Sequence, residues 1–173
     1  MNTSIIDNPV TGERFRWHLT EADTAGRLVR AEAWVSPGGG VRVEHFHPRS
    51  EERFELLSGR MTLERGGETH VLLGGDRATV LPGVRHRWCN GGDDELHLFI
   101  EVENPHGFEH MIEEAFAAGR GGGMGLLPGA SFARRHAASI RVTSPPVWLQ
   151  PFVVTPLAWL NDRGARARAR SAT

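Results

Sequence analysis

The stretch GGVRVEHFHPRSEERFELLSG, residues 39–59, decides the fold class of this chain. Within it, His45 and His47 are separated by one residue, and in an extended strand two side chains at that spacing point to the same face. Two imidazoles on one face suit the binding of a single metal ion. Glu52 follows a Pro-Arg-Ser turn and is expected to reach the same site from the next strand.

Alternating patterns and turns surround this stretch. Residues 41–47 predict a single strand in which Val41, Val43 and the two histidines share one face. Short β segments extend from residue 5 to residue 103, and glycine- and proline-rich turns such as residues 36–40 and 90–92 separate them. Regular spacing of this kind predicts an all-β sandwich or barrel.

A second motif, GDRATVLPGVRHRWCN, occupies residues 75–90 and places a third histidine, His86, after a Leu-Pro-Gly turn. Together the two motifs resemble those of the cupin superfamily, and the gap of fifteen residues between them is similar to that of its small single-domain bacterial members. One departure is Leu81, which stands where the family has proline, while Pro82 adjoins the turn glycine. The matching positions are Gly39, His45, His47, Glu52 and Gly59 in the first motif and Gly75, Gly83, His86 and Asn90 in the second.

This resemblance implies an antiparallel jelly-roll β-barrel over residues 1–104, with the closest match over residues 28–104. It also implies that one metal ion is bound inside the barrel. If the register of the strand slipped by one residue, Glu51 would replace Glu52, but the spacing to Gly59 favours Glu52. The implied metal ligands are His45, His47, Glu52 and His86.

Three imidazoles and one carboxylate accept several divalent transition metals, namely Fe, Mn, Ni, Co, Cu or Zn, and the residue types do not choose among them. Four protein ligands leave positions open on a metal that prefers six, which favours chemistry over a purely structural role. The alternative is a barrel that keeps the ligand pattern as a relic, but burying three histidines and a carboxylate without a cation is costly.

Apolar side chains on the same strand faces as the ligands are expected to line the barrel interior, where they either contact substrate or fill the core. Trp34 is expected to join them from an earlier strand. These candidate pocket residues are Trp34, Phe54, Leu56, Met61, Leu63 and Trp88.

A helical extension is predicted over residues 105–173. Apolar residues at three-and-four spacing predict an amphipathic helix over residues 108–116, and residues 119–125 (GRGGGMG) predict a flexible linker. A second helical pattern starts at Pro145 and runs to Leu160, after which an arginine-rich tail looks frayed. This apolar helix is interpreted as a cap or a dimer contact; a basic amphipathic membrane anchor is the weaker alternative, because inner prolines interrupt the apolar face.

The composition limits the remaining function classes. The chain has 173 residues, a net charge of −1 and a single Cys89, so no global charge attracts nucleic acid and no internal disulfide is possible. No stretch at the N-terminus is typical of a secretion signal, which makes a cytoplasmic location the expectation. The expected partners are a small-molecule substrate and a second copy in a homodimer, without nucleic acid or membrane contact.

Two classes of function are compatible with such a site. The first is a metal-dependent enzyme, either an oxygenase or dioxygenase acting on a small apolar or aromatic oxygen-bearing substrate, or a Lewis-acid isomerase or cyclase. Its general base is expected to be Glu52 or a water molecule on the metal. The second class is a non-catalytic barrel that binds a small ligand.

Overall fold

The computed structural model describes residues 5–171 as eleven β-strands and three α-helices. The strands are β1 (Ile5–Asn8), β2 (Glu13–Leu19), β3 (Leu28–Val35), β4 (His45–Phe46), β5 (Glu51–Ser58), β6 (Arg60–Arg65), β7 (Glu68–Leu73), β8 (Arg77–Val80), β9 (His86–Asn90), β10 (Leu96–Glu103) and β11 (Arg141–Val142). The helices are α1 (Phe108–Arg120), α2 (Leu126–Arg135) and α3 (Gln150–Ser171).

Two antiparallel sheets enclose the core. The first has the strand order β1-β2-β3-β10-β5-β8, and the second has the order β11-β4-β9-β6-β7. Because consecutive residues of a strand point to opposite faces, alternate residues of β3, β5 and β10 are buried between the sheets. The predicted jelly-roll barrel with a C-terminal helical part is therefore the observed fold.

Gly59, in the turn between β5 and β6, needs to be glycine. Its φ is +87°, and a Cβ at this position would lie 2.8 Å from the Cα of Leu96 at the start of β10. The turn between two strands of different sheets therefore packs directly on a third strand.

The strand predicted over residues 41–47 is shorter than expected. Only His45 and Phe46 pair as a strand, and Val43 is 59% exposed instead of sharing the buried face of the histidines. Gly40 has a φ of +113°, and its backbone packs so closely on Trp88 that a Cβ would lie 3.0 Å from the indole ring. This bend interrupts the extended conformation before His45, so the alternation of residues 41–44 does not reflect burial.

The extension differs from its sequence prediction at four places: the linker, α2, β11 and α3. The predicted first helix is present as α1, which buries Phe108, Met111, Ile112 and Phe116. The predicted linker, residues 119–125, is shorter, because α1 continues to Arg120. Two elements were not predicted: α2, which contains Pro128-Gly129 and buries only Ala130 and Ser131, and β11, which is only two residues long.

The strand β11 joins the extension to the barrel. Arg141 and Val142 pair with Phe46 and His45 of β4, and the N–H of Thr143 donates to the carbonyl of Glu44 at 3.1 Å. Residues beyond 104 therefore complete the edge of the second sheet, directly beside the predicted metal ligands.

The last helix, α3, begins at Gln150 and not at Pro145, and it continues to Ser171 through the region expected to be frayed. Its apolar side chains are largely exposed, with Phe152 at 74% and Trp159 at 54%. Within residues 5–171, no helix combines the length and apolar character needed to cross a membrane.

Candidate metal centre

The four predicted ligands lie together in the barrel. Their side chains are almost fully buried, with exposed fractions of 1–3%, and their ligand atoms all lie within 4.8 Å of one another. The ligands come from both sheets: His45 on β4 pairs directly with His86 on β9, and Glu52 faces them from β5. His47 follows β4 immediately. The local spacing of the first motif and the packing of the two sheets thus produce one compact site.

Each imidazole is oriented by a backbone carbonyl at its Nδ1 atom. The Nδ1 of His45 lies 2.8 Å from the carbonyl oxygen of Val43, and that of His86 lies 3.0 Å from the carbonyl oxygen of Val84. Because a carbonyl oxygen can only accept a hydrogen bond, each Nδ1 carries the proton. The Nε2 atoms are consequently the ones available to a ligand, an arrangement typical of metal-binding histidines.

The carboxylate of Glu52 lies between two of these Nε2 atoms. Its Oε2 is 2.9 Å from Nε2 of His86 and 3.6 Å from Nε2 of His47, and the latter nitrogen is buried without a hydrogen-bond partner. An unpaired nitrogen in a dry interior is costly, whereas a cation among these atoms would satisfy all of them. The donor set, three nitrogens and a carboxylate oxygen, fits a divalent transition metal.

The pKa values of His45 and Glu52 are shifted in directions that favour metal binding, whereas that of His47, which burial alone would lower, is raised by the carboxylate of Glu52. Burial lowers the pKa of His45 to about 3, assisted by the neighbouring His86, so this imidazole stays neutral at pH 7. Burial alone would raise the pKa of Glu52, but the facing imidazoles of His47 and His86 bring it below its ordinary value. The site therefore presents a neutral nitrogen and an ionised carboxylate, the protonation states that ligands require.

The register settles which of two adjacent glutamates faces the site. Glu51 points away and pairs with Arg53, whose Nε lies 2.7 Å from its Oε1. Glu52 is 3% exposed and faces the histidines. The spacing argument from Gly59 thus selected the inward carboxylate.

One of the six candidate pocket residues does not lie in the interior. Trp34 is on the outer face of β3, where its ring stacks on His97 at 5.1 Å and the guanidinium of Arg16 lies 5.3 Å from the ring centroid. The prediction for Trp34 was wrong because the alternation of β3 buries Ala33 and Val35, on either side of it. The other five are at most 3% exposed and are part of the core: Phe54, Leu56, Met61, Leu63 and Trp88.

Two contacts from the extension reach the site, and the sequence did not reveal them. The Nδ1 of His47 lies 2.7 Å from the carbonyl oxygen of Ser139, which precedes β11. The ring of Phe108, at the start of α1, is 5.8 Å from that of His47. The helical pattern identified Phe108 as buried, but a backbone carbonyl leaves no signal, since any residue type supplies one. The extension therefore holds His47, unlike the other two histidines, which are held from within the barrel.

We expect the substitution Ser139→Pro to weaken metal binding by about ten- to a hundredfold, the usual effect of losing a partner that orients a metal-binding histidine. Proline removes the N–H that donates to the carbonyl of His136 at 2.9 Å, and so displaces the carbonyl that orients His47. Ser139→Ala is the matched control, because it removes only the hydroxyl that donates to the carbonyl of Pro105. Competition with a chelator measures both affinities, and equal values for the two variants would contradict the positioning role.

The site and its barrel match a known protein family. Residues 33–103 match the family described as a cupin domain. This part of the chain is a cupin domain. Solved cupin structures share the fold: a polyketide cyclase, RemF from Streptomyces resistomycificus, is similar with a TM-score of 0.50 and 22% identity, covering 60% of this chain and 75% of that one. A predicted oxalate decarboxylase from Thermotoga maritima is similar with a TM-score of 0.51 and 19% identity, covering 58% and 90% respectively.

Curated relatives match parts of this chain. The polyketide synthase CurC of Streptomyces cyaneus is 39% identical over 71 residues, which are 40% of this chain and 45% of the relative. An oxidoreductase of Arthrobotrys oligospora is 28% identical over 112 residues, 63% of this chain and 43% of the relative. The chain thus spans about half the length of the curated relatives that it matches.

Proposed function

We propose that this cupin is a metal-dependent enzyme in which His45, His47, Glu52 and His86 hold one divalent transition-metal ion. The observation that carries the proposal is the orientation of the three imidazoles: a backbone carbonyl anchors each Nδ1, and the ligand atoms converge on one buried carboxylate. A histidine cluster that served only packing would not need three matched orientations and an unpaired Nε2 on His47.

The reaction that we propose is Lewis-acid cyclisation of a small oxygen-bearing substrate, such as a poly-β-ketone chain. A divalent cation bound at this site supplies positive charge that polarises substrate oxygens and acidifies an adjacent C–H bond. The protein keeps one ionised carboxylate, Glu52, beside that position. Phe54 and Trp88 follow Glu52 and His86 on the same buried strand faces, and their ring centroids are 5.7 Å apart, so the strands that carry these ligands continue into an apolar core.

The relatives support this choice of substrate. The relative with 39% identity over 71 residues is called a polyketide synthase, and polyketide chains carry oxygens on alternate carbons. Two such oxygens can bind one cation together.

An oxygenase or dioxygenase is the second candidate, and the match to the oxidoreductase of Arthrobotrys oligospora favours it because that match extends over 63% of this chain. This reaction would use the same residues but would consume dioxygen. A homodimer and a cytoplasmic location stay predictions from the sequence.

Incubation of the metal-loaded protein with short poly-β-ketones that carry three or more carbonyl groups, in air and without oxygen, tests the proposal. We expect products whose mass is unchanged or reduced by one water, formed equally under both conditions. Oxygen uptake with products enriched in oxygen would favour the oxygenase instead. Recovery of a tightly bound, unaltered ligand would support a non-catalytic barrel. His45→Ala, which lacks one metal ligand, is the negative control.

A further inference from the structure

A second cluster of potential metal ligands lies outside the barrel, between α1 and α2. His110 and Glu114 are four residues apart on α1, so they share one face of the helix. His136 immediately follows α2, and its Nε2 lies 2.8 Å from Oε2 of Glu114. The rings of the two histidines are 5.6 Å apart, and one ligand atom from each of the three residues lies within 4.8 Å of the others.

We propose that His110, Glu114 and His136 form a second binding site for a divalent transition metal such as Zn²⁺. Two imidazole nitrogens and a carboxylate oxygen are the ligands that zinc uses in sites with three protein ligands. Zinc binds such atoms at about 2.0–2.2 Å, which places tetrahedral ligand atoms about 3.4 Å apart. The atoms of His136 and Glu114, now 2.8 Å apart, must therefore separate slightly, whereas atoms up to 4.8 Å apart must approach one another. His110 is exposed and is free to adjust its rotamer, whereas His136 is held in place.

The surroundings of His136 preorganise this site. His136 is 7% exposed and packs against the ring of Phe132 at a centroid distance of 4.6 Å. Its Nε2 already faces the carboxylate of Glu114. The geometry is similar to that of His86 and Glu52 in the barrel, where a nitrogen and a carboxylate oxygen are 2.9 Å apart. Three protein ligands leave the fourth coordination position of a tetrahedral ion free for water, on the solvent-exposed side of the cluster.

A metal ion bound by His110, Glu114 and His136 would also stabilise the segment that orients His47. The carbonyl of His136 accepts hydrogen bonds from the N–H groups of Ser139 and Ile140, both at 2.9 Å. The carbonyl of Ser139 in turn accepts from His47. The second site is therefore connected to the metal centre in the barrel through the backbone of Ser139, although the two sites share no ligand.

Arg135 provides the alternative explanation of the cluster and a way to test it. Its guanidinium contacts Oε1 of Glu114, which leaves Oε2 for His136. If the three residues formed only a surface ion-pair network, Arg135 would be part of it. If they bind a cation, Arg135 competes with that cation through its positive charge and through its hold on the carboxylate.

Titration of the isolated protein with Zn²⁺, combined with elemental analysis of its starting metal content, tests the proposal. We expect two ions per chain in the wild type after titration. His110→Ala should retain one ion and bind the second at least about a hundredfold more weakly, since losing even an outer-shell partner costs about ten- to a hundredfold. Because His110 is exposed, this variant is expected to fold normally. The matched control is His70→Ala, which removes a histidine outside both clusters and should still bind two ions.

Arg135→Gln gives the second, independent readout. We expect it to bind the second Zn²⁺ roughly tenfold more tightly, because a competing positive charge next to Glu114 is removed. A wild-type protein that binds only one ion, or a second ion whose affinity changes in neither His110→Ala nor Arg135→Gln, would overturn the proposal. Both measurements report on metal binding alone, so they are independent of whether the barrel is an enzyme.

Discussion

Glu52→Gln is expected to leave the protein almost free of metal after purification and to abolish its activity. The amide keeps the volume of the side chain but removes the negative charge between His47 and His86. A neutral amide oxygen is a much poorer ligand for a transition metal than a carboxylate. We therefore expect the metal affinity to fall by more than about a hundredfold, which exceeds the usual loss when a residue that only orients a ligand is changed.

The matched control is Glu51→Gln, one residue earlier on the same strand. Glu51 pairs with Arg53 on the outer side of β5 and makes no contact with the histidines that the structure describes. Removing its charge should leave the metal content within the error of elemental analysis and cost at most about 1 kcal/mol of stability. Equal metal content in Glu51→Gln and Glu52→Gln would contradict the assignment of the inward carboxylate.

Glu13→Gln is expected to stabilise the protein by about 3 kcal/mol at pH 8.5, with almost no effect at pH 4.5. Glu13 lies on the buried face of β2 with Phe15 and Trp17 and is 3% exposed. Burial, together with the charge of Glu52, raises its pKa from 4.5 to about 7. Ionisation is therefore unfavourable in the folded protein and easy in the unfolded chain.

The direction of the pH dependence follows from this raised pKa. Below pH 4.5 the carboxyl is protonated in both states, and the favourable burial of the neutral acid is fully present. As the pH rises through 7, the folded state must ionise a buried group, and that stability is lost. Urea unfolding of both proteins between pH 4.5 and 8.5 measures the difference, and a difference that does not change with pH would show that Glu13 ionises normally. Glu13 lies far in sequence from both motifs, so its role as a buried acid is visible only in the structure.

Whether a side chain is buried depends on how the strands pack, and the alternation of the sequence predicts that packing only in part. The alternation of residues 41–47 predicted one continuous strand, but the positive φ of Gly40 bends the chain and exposes Val43. Trp34 is expected from the sequence to join the interior residues, yet its ring lies on the outer face of β3. The cations of the outer face provide an alternative environment, since Arg16 packs over its ring.

The sequence by itself determined the four candidate ligands and the barrel that carries them. This was possible because the spacing of His45, His47 and Glu52 acts locally: strand periodicity places the side chains, and side-chain chemistry restricts what they bind. Only the tertiary structure decided how the site is closed. Ser139, which orients His47 across 92 residues of sequence, acts through its backbone carbonyl, and His136 meets Glu114 only because the chain at the end of α2 returns to α1. Contacts of this kind have no residue-type signature, since they depend on where two distant segments meet and not on what either one contains.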